Sequence, residues 1–274
     1  MNTKSNAPDK SGLAAPAAPP GLAERLNALS AAAGVILLIA RRELSGYFSG
    51  LSGTIILATH LLINGLLFNI FAVGNEIRFS QQVLEEFFYY GSGVGMITAI
   101  LLGVRLIAEE RQLKTLVLLR TSPISERQLV WGKFASALAF FTLTLLLSLY
   151  MPALIFLNGK VSLGQIGAGY LGLWLLGGAC IAITLLASVW SPSQLVAGVV
   201  AGLMVTLLLV SWKLAQVTEE PLKGIFYYSA IHNLHFRAFS RGLINLRDVV
   251  YYLAIVAFFL ELAVSSMAAW RWRE

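Results

Sequence analysis

Six stretches of about 20 or more mostly apolar residues recur along this chain, at 52–73, 88–108, 134–157, 166–189, 195–215 and 249–270. An α-helix rises about 1.5 Å per residue, so about 20 residues cross a hydrocarbon core of about 30 Å. Lipid offers the backbone no hydrogen-bond partners, and a spanning segment must satisfy its own amides, as a helix does. A membrane barrel would alternate apolar and polar residues in segments of about 10, and no such alternation is present. The expected fold class is therefore all-α: a polytopic membrane protein with six transmembrane helices. Only 12% of the 274 residues are charged, against roughly 25% in a soluble domain. Cys180 is the one cysteine, so no internal disulfide staples the fold.

The N-terminus departs from this pattern. Residues 1–30 are rich in Ala, Pro and polar side chains, which predicts a disordered tail ahead of one domain at 31–274. The apolar run at 31–40 is too short to span and ends at Arg41-Arg42-Glu43. A signal peptide would need a basic start directly before its apolar core, and here a Pro-rich stretch with Asp9 and Glu24 intervenes. The better reading is an amphipathic helix lying in the membrane interface. Ile36, Leu37, Ala40, Leu44, Tyr47, Phe48 and Leu51 would share its apolar face, with Arg41, Arg42, Ser45 and Ser49 opposite.

Six spans place both termini on one side. With that side inside, thirteen of the Lys and Arg residues are inside and seven outside. The positive-inside rule favours that orientation, with both termini cytoplasmic. The formal charge of +6 is thus largely a topology signal. A nucleic-acid site would cluster basic residues with stacking aromatics, and no such cluster stands out.

The loop after the second span is the most informative segment. It begins with the acidic pair Glu109-Glu110 and contains Lys114-Thr115-Leu116-Val117-Leu118-Leu119-Arg120-Thr121-Ser122-Pro123-Ile124-Ser125. A first short helix is expected to run to about Leu119, ended by Pro123. Ser125 and Gln128 have capping-box spacing for a second. This pattern, with Gly132-Lys133 before the third span, resembles the ABC-2 class of transporter permeases. The turn Ala187-Ser188-Val189-Trp190-Ser191-Pro192 is also similar to that class. Ser240-Arg241-Gly242 followed by Arg247-Asp248 resembles its gliding-motility-type branch. Two positions depart from the family pattern: Lys114 stands where a Gly usually precedes the Thr, and Val117 where Glu is frequent.

The resemblance, which covers roughly residues 33–270, implies a bacterial inner-membrane permease subunit, an exporter by type. It implies a cytoplasmic coupling helix that docks on a separate ATPase chain, where ATP and Mg bind. The ATPase-coupling residues it implies are Glu109, Glu110, Leu113, Thr115, Leu116, Thr121, Ser122 and Pro123. It further implies a second permease subunit, identical or related, and an auxiliary membrane or periplasmic subunit. The residues agree on one point: no Gly-x-x-x-x-Gly-Lys-Ser/Thr phosphate loop occurs, so ATP is expected to be hydrolysed elsewhere.

Polar residues inside the apolar stretches are costly and need a role. Glu261, in the sixth span, reads as a substrate- or proton-sensing carboxylate or as a structural Glu facing other spans. His60 and Asn64 lie one helical turn apart and suit helix–helix hydrogen bonding. Gly91-x-x-x-Gly95 and Gly198-x-x-x-Gly202 suit close helix packing, within the subunit or at a seam between two. His232 and His235 lack the further ligands of a metal site. The outer segment 216–247, with Phe226, Tyr227, Tyr228, Phe236 and Phe239, suits contact with lipid headgroups. Two rival functions stay open at this point. One is a lipid-modifying membrane enzyme using His232, His235 or Glu261; the other is an ion-coupled carrier using Glu261.

Overall fold

The structure, a computed structural model, describes residues 22–72, 79–115, 124–158 and 162–271. These form helices α1 (Leu22–Ser49), α2 (Leu51–Ala72), α3 (Ser80–Gln112), α4 (Glu126–Ser148) and α5 (Tyr150–Asn158). They continue as α6 (Leu163–Trp190), α7 (Gln194–Val217), α8 (Leu222–Ser229), α9 (Phe236–Ser240) and α10 (Leu246–Arg271). Six segments are long and apolar enough to cross a membrane, the third made of α4 running into α5. The end of the bundle where α2 starts and α10 finishes is called proximal here, and the opposite end distal.

Three boundaries differ from expectation for identifiable reasons. Helix α1 begins at Leu22, within the segment expected to be disordered. Its Ala- and Leu-rich sequence favours helix over coil. Helix α3 extends well past the apolar stretch at both ends, because hydropathy marks the membrane core and not the helix. The third span is interrupted at Leu149, whose N–H turns to Leu146 O at 3.2 Å. Pro152 in the following turn has no N–H for Ser148 O and cannot continue a regular ladder.

Helix α6 forms the centre. In its most apolar window 94% of residues are buried, against 17% in α2 and α10. Its glycines explain how neighbours approach so closely. A Cβ added at Gly169 would lie 2.4 Å from the Phe88 ring, at Gly172 2.5 Å from Phe239, and at Gly177 2.1 Å from Phe141. Each aromatic comes from a different helix, so α6 acts as the post against which α3, α4 and α9 are seated.

Helix α1 packs along the start of α4, where an added Cβ at Gly132 would meet Ile39 at 2.8 Å. Tyr47 stacks on Phe140 with ring centroids 4.9 Å apart. Of the residues expected on its apolar face, part packs inward and part stays open. Tyr47 is buried, but Leu37, Phe48 and Leu51 are exposed. The contact side is rotated towards Ile39 because it follows the groove at Gly132, a constraint that periodicity alone does not contain.

The short loop helix expected to run to about Leu119 lies largely outside the described residues, and before it α3 ends at Gln112. Helix α3 closes at Leu113–Thr115 with Thr115 N–H to Glu110 O at 2.9 Å and Lys114 N–H to Arg111 O at 3.1 Å. This is a Schellman closure, and it puts Lys114 at φ 58°, the left-handed region. The position where the family usually carries glycine is thus one whose backbone favours glycine. Lys114→Gly is expected to raise stability by up to about 1 kcal/mol, since a side chain is penalised in that conformation. A thermal melt in detergent checks it, and a lower midpoint would show that the Lys114 side chain contributes something the turn does not explain.

At the far side of the loop the expected capping box is present. Gln128 N–H donates to Ser125 Oγ at 3.2 Å, and Ser125 N–H donates to Gln128 Oε1 at 3.0 Å.

Candidate functional site

The proximal end holds a buried cation. Lys133, about two turns into α4, is 1% exposed. Its Nζ lies 2.7 Å from Glu110 Oε1 on α3 and 3.1 Å from Glu43 Oε1 on α1. A charge removed from water persists only when paired at close range, and here two carboxylates from two other helices supply the pairing. Lys133 therefore ties α1, α3 and α4 at one point.

A second charged group lies beside it. Arg105 Nε donates to Glu109 Oε2 at 2.9 Å along α3, and Nη1 donates to Ser52 Oγ at the start of α2. The guanidinium lies 5.6 Å from the centre of the Tyr47 ring, and Tyr47 donates to Leu102 O at 3.3 Å. A cavity of about 560 Å³ opens among these groups, lined by Arg42, Tyr47, Glu109, Leu113, Thr115 and Ile124 among others. Leu113 and Thr115 are exposed at its edge.

The two flanks of the loop are also fastened to the rest of the bundle. Arg111 donates to Ser191 O at 2.9 Å and stacks 3.7 Å over the Trp270 ring, which reaches α6 and α10. Arg127, in the first turn of α4, pairs with Glu261 on α10 at 2.7 Å. Glu261 thus faces the half-exposed flank of α4 and not the bundle interior. Of the loop residues singled out in the sequence, Leu116, Thr121, Ser122 and Pro123 lie outside the described residues.

Close approach between α3 and α6 is held by one hydroxyl. Ser188 donates to Val104 O at 2.9 Å and accepts from Ala108 N–H at 2.8 Å. One turn further into the bundle, Gly103 leaves room for Thr184.

His60 and Asn64 are both buried between α2 and α3. His60 Nδ1 lies 2.8 Å from Thr98 Oγ1, and Asn64 Nδ2 donates to His60 O at 3.0 Å. Gly91 faces Asn64, since an added Cβ would meet its Oδ1 at 3.0 Å. Gly95 and Gly198 have ordinary neighbours at 3.7 and 3.8 Å, and Gly202 has none within 4 Å. The tightest glycine contacts are instead at Gly53, Gly169, Gly172 and Gly177.

A family profile described as ABC-2 family transporter protein matches residues 63–266. The chain belongs to the ABC-2 transporter family. No individual curated protein matches it. The chain is thus a multi-pass permease that forms a membrane pathway, and permeases of this family are non-catalytic transport subunits.

The remaining polar cluster of this ABC-2 permease is built as a clamp. His232 Nε2 lies 2.6 Å from Ser92 Oγ, and Ser92 donates to Tyr89 O at 2.6 Å. The serine hydroxyl is fully buried and committed to a carbonyl, so it is not poised as a nucleophile. Burial holds the His232 imidazole below its usual pKa range, partly offset by Asn233. His235 faces another way: Nδ1 meets Asp248 Oδ1 at 2.7 Å, and the ring stacks on Tyr251 at 3.6 Å. Asn245 donates to the other Asp248 oxygen at 3.1 Å. The two histidines therefore have separate partners. They sew the segment between α8 and α10 onto the distal end. Among the described residues no three His, Cys, Asp or Glu side chains gather as a metal site.

The stretch Ser240–Asp248 has a structural role too. Arg241 pairs with Glu85 at 2.7 Å, and Gln165 donates to Ser240 O at 3.2 Å. Gly242 has φ 85°, and an added Cβ would meet Gln165 at 3.1 Å.

Sequence reasoning missed Lys133 and Glu43. A signal was present: Lys133 sits among Val130, Phe134 and Ala137 on one apolar helix face. A lysine there requires an acidic partner from another helix.

Proposed function

We propose that this permease is driven by a separate ATPase chain, where ATP and Mg bind, docking on residues 113–121 at the proximal end. The observation that carries this reading is the fastening of both flanks of that segment. Glu110 and Arg111 on one side, and Arg127 and Lys133 on the other, connect to α1, α6 and α10. A rigid displacement of the segment therefore reaches three other helices of the bundle through charged contacts rather than through one flexible linker. In this reading the proximal end faces the cytoplasm of a bacterium, in keeping with the basic-residue asymmetry, and cargo is exported towards the distal side.

Six spans supply half of a pathway in this reading, so a second permease subunit completes it. The Ser240–Asp248 element supports the gliding-motility-type branch, with an auxiliary membrane or periplasmic subunit. Helix α1, with Leu37 and Phe48 exposed, rests its outer face on the membrane interface. The enzyme and carrier readings have lost their support: the histidines serve as clamps, and Glu261 is bound to Arg127.

Single cysteines at Leu113, Val117 and Arg120, placed in a Cys180→Ala background, test the docking. All three are expected to crosslink to the co-purified ATPase chain. If none does while the complex stays intact and active, the segment is not the docking site.

A further inference from the structure

A cavity of about 1150 Å³ opens at the distal end between the first turns of α3, the last turns of α7, and α8. Its walls include Glu86, Tyr90, Trp212, Lys223, Tyr227 and Arg237. Tyr and Trp at the end of a spanning bundle sit at the level of lipid headgroups.

The charges are arranged unevenly. Of the two carboxylates on the walls, Glu85 is already paired with Arg241 at 2.7 Å and Glu86 is also engaged. Lys223 and Arg237 make no ion pair or side-chain hydrogen bond among the described residues. Both are exposed and both line the cavity. Two cations without carboxylate partners, framed by aromatic rings, suit an oxyanion better than a neutral solute.

An apolar track leads away from this site. Tyr90, Gly93, Ile97 and Leu101 follow one another at helical spacing on one face of α3. Tyr90 is 48% exposed, Ile97 60% and Leu101 46%, and an added Cβ at Gly93 would meet nothing within 4 Å. The eleven steps from Tyr90 to Leu101 span about 16 Å at 1.5 Å each. That is about half of a bilayer core of about 30 Å, the depth of one leaflet.

We propose that the distal cavity binds a phospholipid-type amphiphile of the distal leaflet. Its phosphate lies at Lys223 and Arg237, and an acyl chain lies along the α3 track. This names a cargo class for the permease and rests on that reading, while binding itself requires no ATPase.

Purified full-length chain in neutral detergent is titrated with fluorescent-acyl phosphatidylglycerol, with glycerol phosphate and with diacylglycerol. Phosphatidylglycerol is expected to bind saturably and to weaken with added salt. Lys223→Glu with Arg237→Glu should weaken it about tenfold or more, as loss of two charge-assisted contacts predicts. Arg247→Glu, a distal cation outside the cavity, should leave affinity unchanged. Three results would overturn the proposal. Glycerol phosphate binding as tightly would make this a site for a free phosphate solute. Diacylglycerol binding as tightly would remove the role of the cations. A dimer that no longer binds phosphatidylglycerol would assign the face to a subunit interface. Each of these leaves the ATPase crosslinks intact, so failure here is separable from failure of the docking assignment.

Discussion

Lys133→Met is expected to cost the folded protein about 3 kcal/mol, the penalty for removing one partner from a buried charge cluster. The reason is what the substitution leaves behind. Glu110 and Glu43 are 18% and 29% exposed and share this one cation. Without it two partly buried carboxylates face each other, each desolvated and each repelling its neighbour. The melting midpoint in detergent should fall, and limited proteolysis should reach α1 earlier, because its ionic tie to α4 is gone while only the apolar packing remains. Adding Glu110→Gln and Glu43→Gln should restore most of the loss, since a neutral cluster needs no counter-charge. An unchanged midpoint for Lys133→Met alone would show that the cluster is hydrated and weak. The same geometry separates two neighbouring glutamates. Glu110→Lys should lower stability by placing a second cation beside Lys133. Glu109→Lys should leave that cluster alone and loosen only the contact with Arg105.

Gly177→Ala should be at least as damaging, although it adds a single methyl group. The new Cβ would lie 2.1 Å from Phe141 Cε1 and 2.4 Å from its Cζ. Phe141 has little room to retreat: it is fully buried, and its ring lies against α3 at Gly95, where an added Cβ would meet its Cζ at 3.7 Å. One ring is thus held between α6 and α3, and moving it separates the helices at the centre of the bundle. Overpacking of this kind costs about 3 kcal/mol or more when the neighbour has no free direction. Gly178→Ala is the matched control. Its Cβ would come no closer than 3.5 Å, to Leu138 Cδ1, so only the helix-propensity gain of up to about 1 kcal/mol remains. Folded yield by size-exclusion chromatography and the thermal midpoint measure both. Equal behaviour of the two variants would contradict the packing described for Phe141.

Much of this architecture was legible from residue order. The six apolar stretches determined the number of spans, because the lipid core sets the length and forbids unpaired amides. Ser125 and Gln128 determined the start of α4, because a capping box is a local contact four residues wide. The family pattern around Glu109 to Pro123 identified the permease class, in agreement with the profile match over residues 63–266.

What the sequence did not determine depends on contacts between residues far apart in the chain. Lys133 and Glu43 are 90 residues apart, and although the apolar face around Lys133 calls for an acidic partner, nothing local says which one. Glu261 sits in an apolar stretch, and the sequence left open a sensing carboxylate or a structural Glu facing other spans. Its partner Arg127 lies 134 residues earlier, and helix rotation about its axis decides that meeting. The glycine patterns show the same limit. Gly91 and Gly95 have the spacing of a packing motif, yet the closest approaches to aromatic rings occur at Gly169, Gly172 and Gly177. Spacing says which glycines share a face; only the packed bundle decides which face meets an aromatic ring. Residue order alone determined that this chain is a six-span membrane bundle. The tertiary structure decided which charges share a partner and which helix stands at the centre, because both depend on helix rotation and order, which the hydrophobic pattern leaves free.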